Sequence, residues 1–200
     1  MTTEEEKQQI RTLLDKVGYG TLALSDKQNR PYSVPVNFAV IEDNLYFHGS
    51  KTGRKMEVFR SNNLASFNVV EELSFIPSYF SSVSGEACPA TQYFLSVIMD
   101  GKIVPVNDPK EKVTALNALM KKLQPEGKYR DLDTARDKNA IDSSQILIFI
   151  PETTTLKVKA GQNLSKERFE RIIRHLKERN EPKDKKTVEI MLKHRKQQTT

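Results

Sequence analysis

The sequence predicts a mainly β fold, a small antiparallel barrel with peripheral helices, on three observations. Alternating or β-branched runs recur along the chain and outnumber helical stretches. Their connections read mostly as hairpins, whereas parallel strands need long crossovers, which argues against a doubly wound sheet. Two hundred residues with 37% hydrophobic content are enough for one core plus extensions. Residues 1–162 are read as the core domain and 163–200 as a basic helical C-terminal extension.

Taken in order, Thr3 and Glu6 form a capping box, and Ile10, Leu13, Leu14 and Val17 follow at helical spacing until Gly18. Tyr19 to Ser25 is a strand, closed by a polar turn over Asp26 to Arg30. Pro31 to Ile41 reads as one partner strand, with Val34, Val36, Phe38 and Val40 on one face and Pro35, Asn37, Ala39 and Ile41 on the other. Pro35 cannot donate to a ladder, so it marks an edge or bulge where backbone groups are open to a ligand. A turn at Glu42 to Asn44 returns the chain, which lets Asn37 and His48 lie on neighbouring strands with the register open. Leu64 to Val70 is a strand, Glu71 to Gln92 a long loop, and Tyr93 to Val106 a strand kinked at Asp100-Gly101. Pro109 opens a helix whose Val113, Leu116 and Met120 share a face. Lys128 to Ser144 is polar and ill-defined, and Ile146 to Lys159 gives strands interrupted at Pro151. Two short amphipathic helices follow, one carrying Phe169, Ile172, Ile173 and Leu176 after a Ser165 cap, the other Val188, Met191 and Leu192 after the linker NEPKDKK.

The chemistry concentrates between Asn44 and Arg60, NLYFHGSKTGRKMEVFR. Leu45 and Phe47 point into the core, and His48 and Ser50 point away from it. Lys51-Thr52-Gly53-Arg54-Lys55 then puts an N-cap hydroxyl, a flexible glycine and three cations at a helix start whose Met56 and Phe59 face inward. Free amides, the helix dipole and a forked guanidinium all favour a phosphate. A solvated basic turn has the same local sequence, and neither GxxxxGK[ST] nor GxGxxG is present.

Bulk composition removes several classes. No run approaches a membrane span, and the acidic N-terminus MTTEEEKQQI is unlike a secretory signal, so the expected location is cytoplasmic. One cysteine, Cys88, excludes an internal disulfide and a thiolate zinc site; no metal is expected. From residue 163 onward there are 12 Lys or Arg against 6 Asp or Glu, while residues 1–162 carry 20 of each. The basic excess is a property of the tail, so nucleic acid is an unlikely partner for the body.

With these blocks in view, YGTLALSD…RPYSVPVNFAV, LYFHGSKTGRKMEVFRSNN and YFLSVIMDGKIVPVNDPKEKVTALNALM resemble the split-barrel FMN-binding family of the pyridoxamine-phosphate oxidases, and within it the nitroimidazole-resistance branch. The resemblance spans roughly residues 18 to 160. It implies an antiparallel split β-barrel and a homodimer with FMN at the interface. By position it places Pro35, Val36 and Asn37 beside the isoalloxazine ring. His48, Gly49 and Ser50 fall on the ribityl and phosphate side, Lys51, Arg54 and Lys55 fall on the phosphate, and Ser96 comes from the second subunit. Leu95 stands where relatives often carry an arginine, the chain has no tryptophan, and the oxidase's C-terminal arginine and histidine cluster has no counterpart after Lys159.

The implied function is an FMN-dependent oxidoreductase that reduces a small acceptor, with a nitroaromatic as the model substrate. His48, the only histidine of the body, is the candidate proton-handling residue; a plain hydrogen bond to FMN or to a neighbouring strand is the simpler role for it. A non-catalytic flavin sensor or carrier is the alternative. Tyr79 and Phe80 are candidates to cover the site or to pack a dimer.

Overall fold

The structure is a computed structural model that describes residues 3–196. It divides into two compact units, 3–69 with 97–156, and 70–96 with 157–196. The element order is α1 (Glu4–Lys16), β1 (Tyr19–Ser25), β2 (Pro31–Asn37), β3 (Ala39–Ile41), β4 (Asn44–Gly49), α2 (Arg54–Ser61), β5 (Leu64–Ile76), α3 (Ser78–Ser81), β6 (Thr91–Pro105), α4 (Pro109–Leu123), α5 (Lys138–Ser143), β7 (Gln145–Lys159), α6 (Lys166–Arg179) and α7 (Asp184–Lys196). The strands form one seven-stranded sheet in the order β2-β1-β5-β6-β7-β4-β3, and the ladders β1/β2, β1/β5, β3/β4 and β4/β7 are antiparallel. This is the split-barrel architecture, mainly β with helices around it.

In the first unit, α1 starts at a complete capping box: the Glu6 N–H donates to Thr3 Oγ1 at 3.2 Å and the Thr3 N–H to Glu6 Oε2 at 2.9 Å. β1 alternates, burying Leu22 and Leu24 and exposing Thr21 and Ala23. Pro31 to Ile41 is not one strand but two. The ladder breaks at Phe38, whose fully buried ring meets Phe67 edge-on at 5.2 Å, and Phe67 is in turn 6.0 Å from Phe149. Burying that ring turns the chain, so Ala39 is buried where alternation would have left it outside. β2 pairs with β1 and β3 pairs with β4, so one short segment supplies both terminal strands of the sheet. The sheet therefore has to curl until its two ends approach, and β2 does contact β4.

The kink expected at Asp100-Gly101 and the interruption at Pro151 are absent; β6 and β7 each run unbroken. Gly101 makes this possible. A Cβ there would collide with the Ile150 carbonyl and sit 3.0 Å from Pro151 Cα, so only glycine lets β7 pass that close. α4 is capped by Asp108, whose carboxylate accepts from the Glu111 N–H at 3.0 Å. It buries Ala115 and Leu119, leaving Val113, Leu116 and Met120 partly covered. From its last turn, Lys122 donates to the Leu14 carbonyl at 2.7 Å with its ammonium 3.4 Å from the Phe38 ring centre, and burial pushes its pKa down to about 8. The stretch expected to be ill-defined contains α5.

In the second unit, β5 continues through Ile76, where a loop from Glu71 was expected. The acidic run Glu71-Glu72 masks the strand in the sequence, and α7 explains why it forms. Lys186 reaches Glu71 at 2.6 Å and Lys183 reaches Glu72 at 2.6 Å. Leu73 and Ser74 are consecutive buried residues that break the alternation, and the Ser74 N–H donates to Thr187 Oγ1 at 2.9 Å. The Ser74 hydroxyl donates to Asp184 at 2.6 Å, and Arg179 grips the same carboxylate through two nitrogens. α6 starts at the Ser165 cap, buries Phe169, Ile172 and Leu176, and ends at Asn180 in the left-handed region. Three of the seven residues of the expected linker NEPKDKK are thus helix, since α7 begins at Asp184.

Candidate functional site

β4 delivers the chain to the candidate site with Leu45 and Phe47 fully buried and His48 on the open side, registered against Ile146 of β7. The turn from Ser50 to Gly53 is held locally. The Thr52 N–H donates to Ser50 Oγ at 3.2 Å, the Ser50 and Thr52 hydroxyls stand 3.2 Å apart, and Arg60 donates to the Lys51 carbonyl at 3.0 Å. The helix cap differs from expectation. Gly53, at φ +98°, occupies the N-cap position and no side chain caps the helix, because Thr52 lies one residue too early and shares its hydroxyl with Ser50. The first amides of α2 therefore have no side-chain acceptor, the geometry by which helix starts attract anions.

Two cations converge on this turn, each against an aromatic face. The Arg54 guanidinium lies 4.8 Å from the Tyr32 ring centre and the Lys55 ammonium 5.6 Å from that of Phe47. Lys55 folds back beneath β4: a Cβ built at Gly49 would stand 2.5 Å from Lys55 Nζ. The amine occupies the space that any residue other than glycine would fill. Burial lowers the Lys55 pKa, and among the described residues Lys51, Arg54 and Lys55 form no salt bridge. Desolvation of the ring, followed by the positive charge of Lys55, lowers the His48 pKa. Its imidazole is then neutral at pH 7, with one nitrogen to donate and one to accept.

The outer face of β2, β1 and β5 lies in the same unit. Register places Pro35 opposite Thr21 and Thr21 opposite Asn68, a transverse row of small or polar residues, with Ser33, Ala23 and Ser66 forming the next row. Small side chains leave a flat surface on which a planar ring can lie. Gly20 keeps the strands close here, since a Cβ would strike the Phe67 ring. Val36 is buried, so only its backbone is open to a ligand. Asn37 donates its amide to the Gly18 carbonyl at 2.9 Å and pairs with Tyr19, and the β3/β4 ladder stops at Ala39 and Tyr46. Asn37 and His48 are thus not ladder partners.

The structure brings His48, Gly49, Ser50, Lys51, Arg54 and Lys55 together on one turn, and places Pro35, Val36 and Asn37 on β2. Ser96 lies on β6 within the second unit and is 4% exposed. Phe80 is buried in that unit, stacked on His175 at 4.7 Å beneath Arg179, while Tyr79 is 65% exposed. Tyr32 was not singled out from the sequence; it reads there as an ordinary strand residue, and only the tertiary path of α2 brings Arg54 onto it. Among the described residues no cluster of His, Cys, Asp or Glu could hold a metal ion, and no helix is long and apolar enough to cross a membrane.

Residues 6–158 match the family model described as pyridoxamine 5'-phosphate oxidase. No curated protein matches the sequence. Among solved structures, the chain is similar to a protein described as a 5-nitroimidazole antibiotic resistance protein from Bacteroides thetaiotaomicron, with 22% identity, 76% of this chain and 83% of that one covered, and a TM-score of 0.60. It is similar also to an FAD and heme binding protein from Mycobacterium smegmatis, with 17% identity, 80% and 73% covered, and a TM-score of 0.64. A flavocytochrome from Azotobacter vinelandii gives 19% identity, 80% and 69% covered, and the same TM-score of 0.64.

Proposed function

Because the chain belongs to the pyridoxamine 5'-phosphate oxidase family, we propose that it binds a flavin, FMN, and acts as an oxidoreductase on a small acceptor such as a nitroaromatic. The observation that carries this reading is the Lys55 amine. It is partly desolvated in the space left by Gly49, with no carboxylate partner among the described residues, at a helix start without a side-chain cap. A partly desolvated cation with a ring face but no anionic partner carries a cost in a ligand-free fold, and a phosphate would offset it.

The residues fit the group. Arg54, Lys55 and Lys51, the first amides of α2 and the Ser50 hydroxyl would hold the phosphate. The flat rows around Pro35, Thr21 and Asn68, with backbone groups of Val36 and Asn37, would support the ring. Bound there, the flavin supplies hydride chemistry. The chain's own contribution is to bind and orient. Lys55 and Arg54 neutralise the phosphate, β1 and β2 exclude water from one ring face, and neutral His48 offers a donor and an acceptor on the open side of β4. In this reading the chain works as a homodimer with the cofactor at the interface, where Ser96 of the partner subunit completes the site. In the same reading residues 1–162 carry the function, and 163–200, which include α6 and α7, are an extension.

The test is a visible absorption spectrum of the purified protein and a titration with FMN after stripping. Saturable uptake of one FMN per chain, with fast reoxidation of the reduced protein by a nitroaromatic, is the expected result. Uptake of FMN with reoxidation by oxygen alone would reduce the role to sensing or carriage, and a protein that ignores FMN would remove the cofactor reading.

A further inference from the structure

We infer that Tyr32 is a positioning residue for the cofactor phosphate, acting through Arg54; the inference rests on the flavin reading above. Arg54 is the first residue of α2 and its side chain is exposed, so by itself the arm would sample many rotamers and bind an anion at the cost of freezing them. The Tyr32 ring removes most of that freedom. It is half-buried near the start of β2, three ladder positions from the Thr21–Pro35 pair and on the other face of the strand, with Leu24 opposite it in the ladder. The guanidinium lies over this fixed face at 4.8 Å. A guanidinium held over a ring spends no N–H on a competing acceptor, and those N–H groups are what grip a phosphate in fork geometry. The neighbouring cation is treated the same way, with Lys55 at 5.6 Å over the fully buried Phe47 and against the backbone of Gly49. Two aromatic platforms, one from β2 and one from β4, thus preset two cations at one helix start.

A filler role for Tyr32 predicts something different, because a filler acts on stability and not through Arg54. The experiment is a double-mutant cycle on FMN affinity in the full-length protein, using Tyr32→Leu, Tyr32→Phe, Arg54→Ala and the Tyr32→Leu/Arg54→Ala pair. Tyr32→Leu should weaken FMN about two- to fivefold, the range for an exposed cation–π contact. Tyr32→Phe should retain affinity within about twofold of wild type, since the ring and not the hydroxyl does the holding. In the Arg54→Ala background, Tyr32→Leu should have no further effect. A second readout needs no cofactor: the Arg54 Cδ protons should show an upfield ring-current shift that Tyr32→Phe keeps and Tyr32→Leu abolishes. Equal losses in both backgrounds, or Arg54 resonances unmoved by Tyr32→Leu, would overturn the role. FMN binding without coupling overturns the role alone, whereas no FMN binding by the unmutated chain overturns the cofactor reading and the role together.

Discussion

Two regions of this molecule use the same residue types to opposite ends. On α7 and its surroundings in the second unit, cations meet carboxylates. Arg179 grips Asp184, Lys186 bonds Glu71 and Lys183 bonds Glu72. On the turn between β4 and α2 in the first unit, Arg54 and Lys55 lie over aromatic rings beside a glycine and a helix start with no side-chain cap, and neither forms a salt bridge among the described residues. A cation whose charge is answered inside the chain serves the fold. One that is partly desolvated with no anionic partner is, in the flavin reading, the cation that meets the phosphate. Lys122 shows that a missing carboxylate is not sufficient, because its amine is consumed by the Leu14 carbonyl and the Phe38 ring.

The comparison predicts which substitutions touch stability and which touch ligand affinity. The largest effect should come from Asp184, 2% exposed and the acceptor for Arg179, Ser74 and the Glu181 N–H. Asp184→Ala leaves Arg179 with only Glu181 at 3.5 Å, the Phe75 carbonyl and the Phe80 ring, and should cost about 3 kcal/mol in denaturant unfolding, the lower end for breaking a buried pair, with FMN affinity of the folded protein unchanged. Burial alone would raise this carboxyl's pKa, but the bonds from Arg179 and Ser74 outweigh it and hold it below 3.8. Its stabilisation is therefore complete above the unfolded-state value and fades as pH falls through the lower folded-state value, so wild type should lose stability more steeply than Asp184→Asn below about pH 4.

Next in size, Lys55→Ala should weaken FMN by about 1.5–3 kcal/mol, the worth of one charged hydrogen bond, while the melting temperature of the stripped protein holds or rises. A fall in stability comparable to that of Asp184→Ala would place Lys55 with the structural cations and break the contrast. Gly49→Ala should cost about 1 kcal/mol of FMN affinity, the lower part of the hydrogen-bond range, by displacing the amine; the loss should vanish when Lys55 is already alanine. Smallest of all, Lys183→Ala should leave the denaturant midpoint close to that of wild type, because its pair with Glu72 is solvent-exposed. Measuring it beside Lys186→Ala, whose partner Glu71 is 9% exposed, separates pairs that hold β5 from pairs that decorate it.

Local signals in the sequence were sufficient where local physics decides. The α1 capping box, the seven alternating residues of β1 and the Ser165 cap of α6 needed no tertiary information. The same holds for the cationic turn, since strand, turn and helix start are contiguous. Except for the cap at Thr52, which its neighbours Ser50 and Gly53 decide, the misreadings arose where a distant partner settles the matter. β5 continues past Val70 only because α7 answers Glu71 and Glu72, and the β2/β3 break follows from the place Phe38 takes beside Phe67. Gly101 reads as a kink until Ile150 is known to pass over it. Thr52 reads as a cap until Gly53 is seen to take that position. Tyr32 was invisible for the same reason, because its partner lies 22 residues along the chain.

The division of Pro31–Ile41 into the two terminal strands also bears on how the molecule keeps to itself. A terminal strand offers unpaired amides and carbonyls to any passing chain, which is the usual start of edge-to-edge aggregation. Here one terminus is β2, where Pro31 and Pro35 remove two of its seven N–H donors, and the other is β3, only three residues long. Neither is a good template for a foreign strand. A single proline-bearing stretch of eleven residues therefore guards both borders of the sheet against polymerisation, and Pro35, first noticed as an opening for a ligand, doubles as a barrier to other chains.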